Sequence, residues 1–261
     1  NLVAGRSGID TVTRFDASAL SCRIAGEVKG FNVEEYIPGK ESRHMDTFIH
    51  YGLAASIQAV KDAGLPTGAE LNEEQAERIG CIVGSGIGGL PLIEQTHQDY
   101  VDRGARRISP FFVPASIINM ISGHLSIRYG FTGPNLAIVT ACTTGLHCIG
   151  EAGRLIASNE ADVMVAGGAE STVSPLGIGG FAAALLGVGG ALRECFETLG
   201  VGAERLEVAL HGVRATVTEA EVVFGGAAPV AMADEDEALL RIVLQPLDGG
   251  IELRPPCGGE D

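Results

Sequence analysis

Hydrophobic side chains recur at two different periods along the first two-thirds of the chain. Helical spacing of about 3.6 residues alternates with short apolar runs that are typical of buried strands. The predicted helices are Met45–Ala63, about Leu92–Asp102 and Ser116–Tyr129, and the predicted strands are Arg78–Val83, Leu136–Val139 and Ala161–Ala166. Strands that alternate with helices predict an α/β fold with a mostly parallel sheet covered on both faces.

Cys142 lies where one of these strands ends and a helix begins. The run Leu136–Val139 is apolar and β-branched, and helical spacing starts at Thr143 and continues to the polar stop at Ser158. The unpaired amides and the positive dipole end of a helix favour thiolate over thiol, and they could hold an oxyanion formed from a thioester. This position predicts a cysteine nucleophile, although a small buried hydrophobic cysteine fits the same spacing.

The strings around Cys142 add a family resemblance. They are Thr140–Gly145 (Thr-Ala-Cys-Thr-Thr-Gly), Asp162–Glu170 (Asp-Val-Met-Val-Ala-Gly-Gly-Ala-Glu), Gly84–Gly89, Ile108–Pro114 and Pro175–Phe181. Together they resemble the β-ketoacyl-acyl carrier protein synthases of the elongating type, the condensing enzymes of bacterial fatty-acid synthesis. The resemblance runs from Asn1 to about Ala184 and implies a thiolase-like layered α/β/α architecture, incomplete because the opening strand of the family lies before the matched part.

The resemblance implies a reaction and its partners. Cys142 would accept the acyl group of an acyl carrier protein thioester, and the carbanion from a decarboxylated malonyl thioester would then attack that acyl group. We expect fatty-acid or polyketide synthesis in a homodimer, with Ile108 against the acyl pocket across the dimer interface. Phe111, Phe112 and Val113 beside it could equally be plain core or interface residues.

The matched strings stop after Ala184, which divides the chain. We expect a condensing-enzyme domain over residues 1–184 and a divergent segment over residues 185–261. The histidine and glycine-rich strings of the family's second half do not occur, and His211 is a weak candidate for its first catalytic histidine. His124 and His147 are not at the family's catalytic positions. An alternative function is therefore a catalytically incomplete, truncated or rearranged relative that acts as a binding or dimerisation subunit.

Charge and composition limit the other classes of function. The formal net charge of −15 argues against nucleic acid or an anionic membrane as partner. An acidic acyl carrier protein would need a local basic surface, for which Arg103, Arg106, Arg107 and Arg154 are candidates, although ordinary solvated surface arginines fit the same pattern. No apolar run of membrane-spanning length and no basic leader pattern occurs in the sequence.

Cysteine spacing and the glycine loop bear on location and cofactors. The six cysteines are scattered without paired spacing, which favours a reducing cytoplasm over a disulfide framework and gives no metal site. Gly84–Gly89 fits the dinucleotide pattern G-x-G-x-x-G, but no acidic strand end follows about twenty residues later. We therefore expect no cofactor, and read this loop as a tight strand-to-helix turn.

Overall fold

The computed structural model describes residue 5, residues 7–184 and the backbone of residues 243–244. The predicted boundary after residue 184 falls at the edge of the described residues, and the candidate His211 lies outside them. Both remain predictions. Among the described residues, no helix combines the length and the apolar character that crossing a membrane requires.

A four-stranded sheet forms the centre of the described chain. Its order is β4 (Asn135–Leu136), β3 (Ile79–Gly84), β5 (Val163–Gly168) and β6 (Val243–Leu244). The first three strands are parallel and β6 is antiparallel to β5. Every residue of β3 is buried, as expected for a central strand covered on both faces. The prediction of a mostly parallel sheet is confirmed.

Helices cover both faces of this sheet. Side chains alternate along a strand, so Ile79, Cys81 and Val83 of β3 join one core cluster, while Ile82 joins another. The first cluster contains residues of α2 (Thr47–Asp62) and α6 (Met120–Tyr129), and the second contains residues of α7 (Thr144–Ala157). The result is the layered α/β/α arrangement that the sequence predicts.

The remaining elements surround this core. A two-stranded antiparallel hairpin pairs β1 (Ile9–Thr11) with β2 (Ile24–Gly26). The other helices are α1 (Gly39–Ser42), α3 (Glu73–Glu77), α4 (Leu90–Arg103), α5 (Phe112–Ser116) and residues 175–184. Short 3-10 turns are formed by Val33–Glu35, Gly68–Glu70, Ala105–Arg107 and Ala141–Thr143. The predicted helix over 45–63, the helix near 92–102 and the strand over 78–83 are confirmed within two residues at each end.

The predicted single helix Ser116–Tyr129 is wrong at its start. Helix α5 ends at Ser116, Ile117 is extended, and α6 begins at Met120. The carbonyl of Ser116 accepts a hydrogen bond from the N–H of Gly89 (3.0 Å), and a Cβ on Gly89 would meet Ser116 Cα at 2.6 Å. The close approach of the glycine loop thus occupies a carbonyl that a continuous helix would need.

The predicted buried strand Leu136–Val139 is also wrong in extent and burial. Pairing with β3 ends at Leu136, because the buried Ser122 hydroxyl of α6 enters between the strands. It accepts from Val83 N–H (2.8 Å) and donates to Leu136 O (2.8 Å). Leu136 and Val139 are 44% and 53% exposed, since β4 has a neighbour on one side only among the described residues.

Candidate active site

Cys142 lies in the middle of the 3-10 turn Ala141–Thr143, directly before α7. Its side chain is exposed. Thr143 is the N-cap of α7, and its side chain makes no capping hydrogen bond. The positive end of the helix dipole therefore faces the turn that carries the thiol, without a capping acceptor from Thr143. The predicted position at the start of a helix is confirmed.

Thr140 holds this turn through three hydrogen bonds. Its N–H donates to Thr144 Oγ1 at 2.9 Å, and its carbonyl accepts from Thr143 N–H at 3.2 Å. Its hydroxyl lies 2.7 Å from Nδ1 of His147, the fourth residue of α7. Each end of the turn is thus fastened to α7, which restricts the conformations open to Cys142.

Ala141 adopts a strained backbone conformation next to the cysteine. Its φ of 52° lies in the left-handed region that L-residues other than glycine rarely enter. Such a residue costs about 1–3 kcal/mol and persists where its surroundings fix it. A sharp, strained turn between a strand and a helix is one way in which folds project a nucleophile toward solvent.

The other cysteines of the described residues differ from Cys142. Cys81 of β3 and Cys148 of α7 are fully buried, and burial raises the pKa of both thiols, that of Cys81 to about 12. Both therefore stay protonated near neutral pH and act as small core residues. Cys22 is partly exposed, but it lies in the connection between β1 and β2, outside the turn before α7. Cys142 combines exposure with a helix start.

The glycine loop after β3 packs against the cysteine turn. A Cβ on Gly84 would overlap the Ile138 carbonyl, and one on Gly86 would lie 3.2 Å from the Ala141 carbonyl. Only glycine allows such close approach of two backbones. The loop is a tight strand-to-helix turn, as predicted, and it supports the turn that carries Cys142.

Glu170 is a partly buried acidic residue at this junction that the sequence analysis did not single out. Its carboxylate accepts hydrogen bonds from Ser85 Oγ, Ile87 N–H and Gly88 N–H. Burial raises the pKa of Glu170, and these hydrogen bonds act in the opposite direction. The sequence carries a signal for it: Glu170 follows a buried strand, and the ends of neighbouring parallel strands meet at one edge of a sheet.

Ile108 belongs to a different segment of the chain from the turn of Cys142. It follows the 3-10 turn Ala105–Arg107, its N–H donates to Ala105 O, and its side chain is 43% exposed. Phe111 and Val113 are 45% and 59% exposed, and the Phe111 ring stacks on His44 at 3.9 Å. In the described chain these residues form an apolar surface, which leaves the predicted acyl-pocket role of Ile108 a proposal.

Two histidines in the described part have definite surroundings. His147 is exposed, and its Nδ1 is hydrogen-bonded to the side-chain hydroxyl of Thr140 at the start of the turn. His124 is partly buried, and burial lowers its pKa more than Glu41 raises it, which favours the neutral ring. Within the described residues, no group of three or more His, Cys, Asp or Glu side chains could hold a metal ion.

A cavity of about 600 Å³ runs beside α7. It is lined by Ile138, Leu146, His147, Ile149, Gly150 and Glu151. Leu146 is 68% exposed, and most of the lining is apolar. One lining residue, Ile138, lies in the segment after β4, between the exposed Leu136 and Val139.

The sheet, its two helical layers and the strained cysteine turn define the thiolase-like class of α/β/α proteins. Within that class, residues 1–189 match the family model "Beta-ketoacyl synthase, N-terminal domain", so the chain belongs to the β-ketoacyl synthase family. The predicted resemblance to the elongating synthases is confirmed.

Individual relatives agree with this assignment. The chain is 58% identical over 183 residues to 3-oxoacyl-[acyl-carrier-protein] synthase 2 of Vibrio cholerae serotype O1, an alignment that covers 70% of this chain and 43% of the relative. The chain thus spans less than half the length of the curated relatives that it matches.

Solved structures give the same fold. A β-ketoacyl synthase from Burkholderia phymatum STM815 matches with a TM-score of 0.59 at 24% identity, covering 70% of this chain and 44% of that one. A type II polyketide ketosynthase, solved with its acyl-carrier protein and bound to the hexaketide, matches with a TM-score of 0.52 at 29% identity, covering 57% of this chain and 41% of that one.

Proposed function

We propose that this chain is the cysteine-bearing part of a β-ketoacyl-acyl carrier protein synthase of fatty-acid biosynthesis. The observation that carries the proposal is the exposed thiol of Cys142 in a strained turn at the start of α7. The family match over residues 1–189 supports the same chemistry. We place the reaction in the cytoplasm, where these scattered cysteines stay reduced.

The first step is transfer of an acyl group to Cys142. The thiolate attacks the carbonyl carbon of the acyl carrier thioester, and the tetrahedral oxyanion collapses with loss of the carrier's sulfur. The carrier leaves as a thiol with the proton that Cys142 gave up. The helix start stabilises the oxyanion, because its amides and dipole present positive charge there.

The second step is the carbon–carbon bond. A malonyl thioester loses carbon dioxide, and the resulting carbanion attacks the acyl carbon on Cys142, whose sulfur leaves as thiolate. The product is a β-ketoacyl thioester on the carrier. Stabilising the enolate of this step requires hydrogen-bond donors or histidines beyond those around Cys142.

Intact-protein mass spectrometry separates the two steps. The native chain, Cys142→Ala and the control Cys22→Ala are incubated with acyl-acyl carrier protein, and malonyl-acyl carrier protein is then added. We expect an acyl adduct on the native chain and on the Cys22 variant, absent from Cys142→Ala, followed by its discharge as β-ketoacyl product. An adduct that never condenses supports the alternative of an incomplete subunit, and no adduct on a folded chain refutes acyl transfer.

We further propose that the carrier protein docks on the basic surface beside Ile108. Arg106 and Arg107 are exposed on the turn Ala105–Arg107 and make no ion pair within the described residues, whereas Arg154 pairs with Glu151 at 2.6 Å. The stacking of His44 on Phe111 brings the end of α1, with the exposed Lys40 and Arg43, to this surface. Positive charge is therefore local on a chain of net charge −15.

Charge reversal at this surface tests the docking. The double variant Arg106→Glu and Arg107→Glu should raise the acyl carrier concentration for half-maximal acylation by about tenfold at low salt, with little change in the maximal rate. Arg154→Glu is the matched control, because its charge is already paired. Equal effects of the two changes would indicate a non-specific response to charge.

We propose a homodimer that covers the open β4 side. An edge strand with exposed apolar side chains is prone to pair with another chain, and Leu136, Val139 and Leu146 are exposed there. Light scattering should give twice the chain mass for the native protein and one chain mass for Leu146→Lys. A monomeric native chain would refute this proposal and, with it, the placement of Ile108 across a dimer interface.

A further inference from the structure

Glu170 links the two loops that meet at the cysteine turn. The register pairs Gly84 with Gly168, so β3 and β5 end side by side and the segments after them come together. The Glu170 carboxylate accepts from Ile87 N–H at 2.7 Å, from Ser85 Oγ–H at 3.1 Å and from Gly88 N–H at 3.3 Å. It also accepts from the N–H of Ser171 at 3.3 Å. One carboxylate thus fixes the conformation of the glycine loop.

The loop that Glu170 holds lies directly against Ala141. A Cβ built on Gly86 would be 3.0 Å from Glu170 Oε2 and 3.2 Å from the Ala141 carbonyl oxygen. The carboxylate and the backbone before Cys142 therefore both border the space that a side chain on Gly86 would fill. Ala141 is also the residue in the left-handed conformation, which needs fixed surroundings to persist.

We propose that Glu170 is a positioning residue for the nucleophile: through the loop Ser85–Gly88 it holds the Ala141 backbone, and so the direction of the Cys142 thiol. The inference deepens the proposed function, because it assigns a role at the same site, and it rests on Cys142 being the nucleophile. Its geometric part, the control of the turn by the carboxylate, is independent of the acyl substrate.

The chemistry of the carboxylate fits this role. All four partners are N–H or O–H donors, and an ionised carboxylate accepts at both oxygens. A glutamine in its place would direct an amide N–H₂ group at one of these donors and leave that donor without its acceptor. Glu170→Gln should therefore loosen the glycine loop while changing the side-chain volume very little.

Gly86→Ala perturbs the same contact from the other side. Its methyl group must move Glu170 Oε2 or the Ala141 carbonyl by a few tenths of an ångström. This variant keeps the charge of Glu170, so it separates the effect of the position of the turn from the effect of the carboxylate charge. Gly153→Ala is the matched control, because Gly153 is a helical glycine of α7 with nothing within 4 Å of an added Cβ.

Two readouts on the full chain test the proposal. The first is the iodoacetamide alkylation rate of Cys142 relative to that of Cys22, measured by peptide mass spectrometry. The second is acylation of Cys142 by acyl-acyl carrier protein at increasing concentration. We expect the maximal acylation rate to fall about tenfold in Glu170→Gln and Gly86→Ala, with an unchanged half-saturating concentration. The ratio of Cys142 to Cys22 alkylation should fall in Gly86→Ala.

The outcomes separate the two proposals. If the native chain takes no acyl group but Cys142 alkylation still depends on Gly86, the proposed function fails and the positioning role stands. If acylation and alkylation in Gly86→Ala stay within about twofold of Gly153→Ala, the positioning role is wrong whatever the fate of Glu170→Gln. A general loss of folding would also change the alkylation rate of Cys22. An unchanged Cys22 rate therefore distinguishes a change in the position of Cys142 from unfolding.

Discussion

Nδ1 of His147 lies 2.7 Å from the hydroxyl of Thr140, and this hydrogen bond ties the first turn of α7 to the residue two positions before Cys142. Together with the bond from Thr140 N–H to Thr144 Oγ1 at 2.9 Å, it closes a small ring of contacts around the cysteine turn. The thiol is therefore held by its own helix on one side and by the glycine loop on the other.

Replacing Thr140 by valine tests the first of these restraints. The change keeps the branched shape and removes the hydroxyl, so the hydrogen bond to His147 is lost. We expect the rate of Cys142 acylation to fall by about threefold to tenfold, which corresponds to about 1 kcal/mol for one neutral hydrogen bond. Thr132→Val, the same change at an exposed residue away from the turn, is the control.

A double-mutant cycle assigns the effect to the pair. Because Thr140→Val and His147→Ala remove the same bond, the double variant should be hardly slower than the slower single variant. Additive losses would mean that the two side chains act separately, and that His147 contributes through a contact other than the one with Thr140.

Ala141→Gly tests the strain in the turn. Glycine enters the left-handed region without the cost of a Cβ, but it adds freedom to the unfolded chain. These two terms nearly cancel, so the free energy of unfolding should change by less than about 1 kcal/mol. If the Cβ of Ala141 helps to hold Cys142 in position, the acylation rate of Cys142 falls in this variant. Denaturant unfolding and acylation rates check the two parts, and a loss of 2 kcal/mol or more would contradict the left-handed assignment.

The sequence was sufficient for the elements whose periodicity is local. Helix α2 and strand β3 have continuous patterns, and both agree with prediction because their burial follows from their own residues. The break before α6 depends instead on the approach of Gly89 to Ser116, and the early end of β4 depends on Ser122. These are contacts between distant segments, which single-segment patterns do not contain.

The candidate site divides in the same way. Cys142 could be located from sequence, because a strand end followed by a helix start is a local pattern. Glu170 could not be assigned a role, because its partners Ser85 and Ile87 are more than 80 residues away and meet it only through the pairing of β3 with β5. The sequence shows that Glu170 follows a strand, but it does not show which residues Glu170 contacts.

Two alanine substitutions at helical glycines test the packing of the core. A Cβ on Gly52 of α2 would come within 2.5–2.9 Å of three side-chain atoms of the buried Ile121 on α6. Gly52→Ala should therefore destabilise the fold by about 1–3 kcal/mol through overpacking. Gly153→Ala, which meets no atom within 4 Å, should stabilise it by up to about 1 kcal/mol through helix propensity.

Thermal and denaturant unfolding of the two variants provides the check. The opposite signs are the diagnostic result, because both changes add the same methyl group to a helix. Stabilisation in both variants would mean that α2 and α6 are farther apart than the structure places them.

The pH dependence of stability should report the buried carboxylate of Glu27. Burial raises its pKa, but hydrogen bonds from Thr13 Oγ1 and the N–H groups of Thr13 and Arg14, with the charge of Arg14, outweigh this and lower the pKa below the ordinary 4.5. The folded state therefore binds the proton less well than the unfolded state. The stabilisation is fully present above pH 4.5 and is lost as the pH falls through the lowered folded pKa.

Glu27→Gln isolates this contribution, because glutamine does not titrate and the other carboxyl groups titrate equally in both proteins. We expect the native chain to be more stable than the variant by about 1.5–3 kcal/mol at pH 7, the range for hydrogen bonds to a charged group. The difference should shrink as the pH falls below 4.5, and urea unfolding from pH 3 to pH 7 measures it. If the difference in the free energy of unfolding stays constant over this range, Glu27 acts through packing. Only an ionised carboxylate with a lowered pKa makes that difference depend on pH.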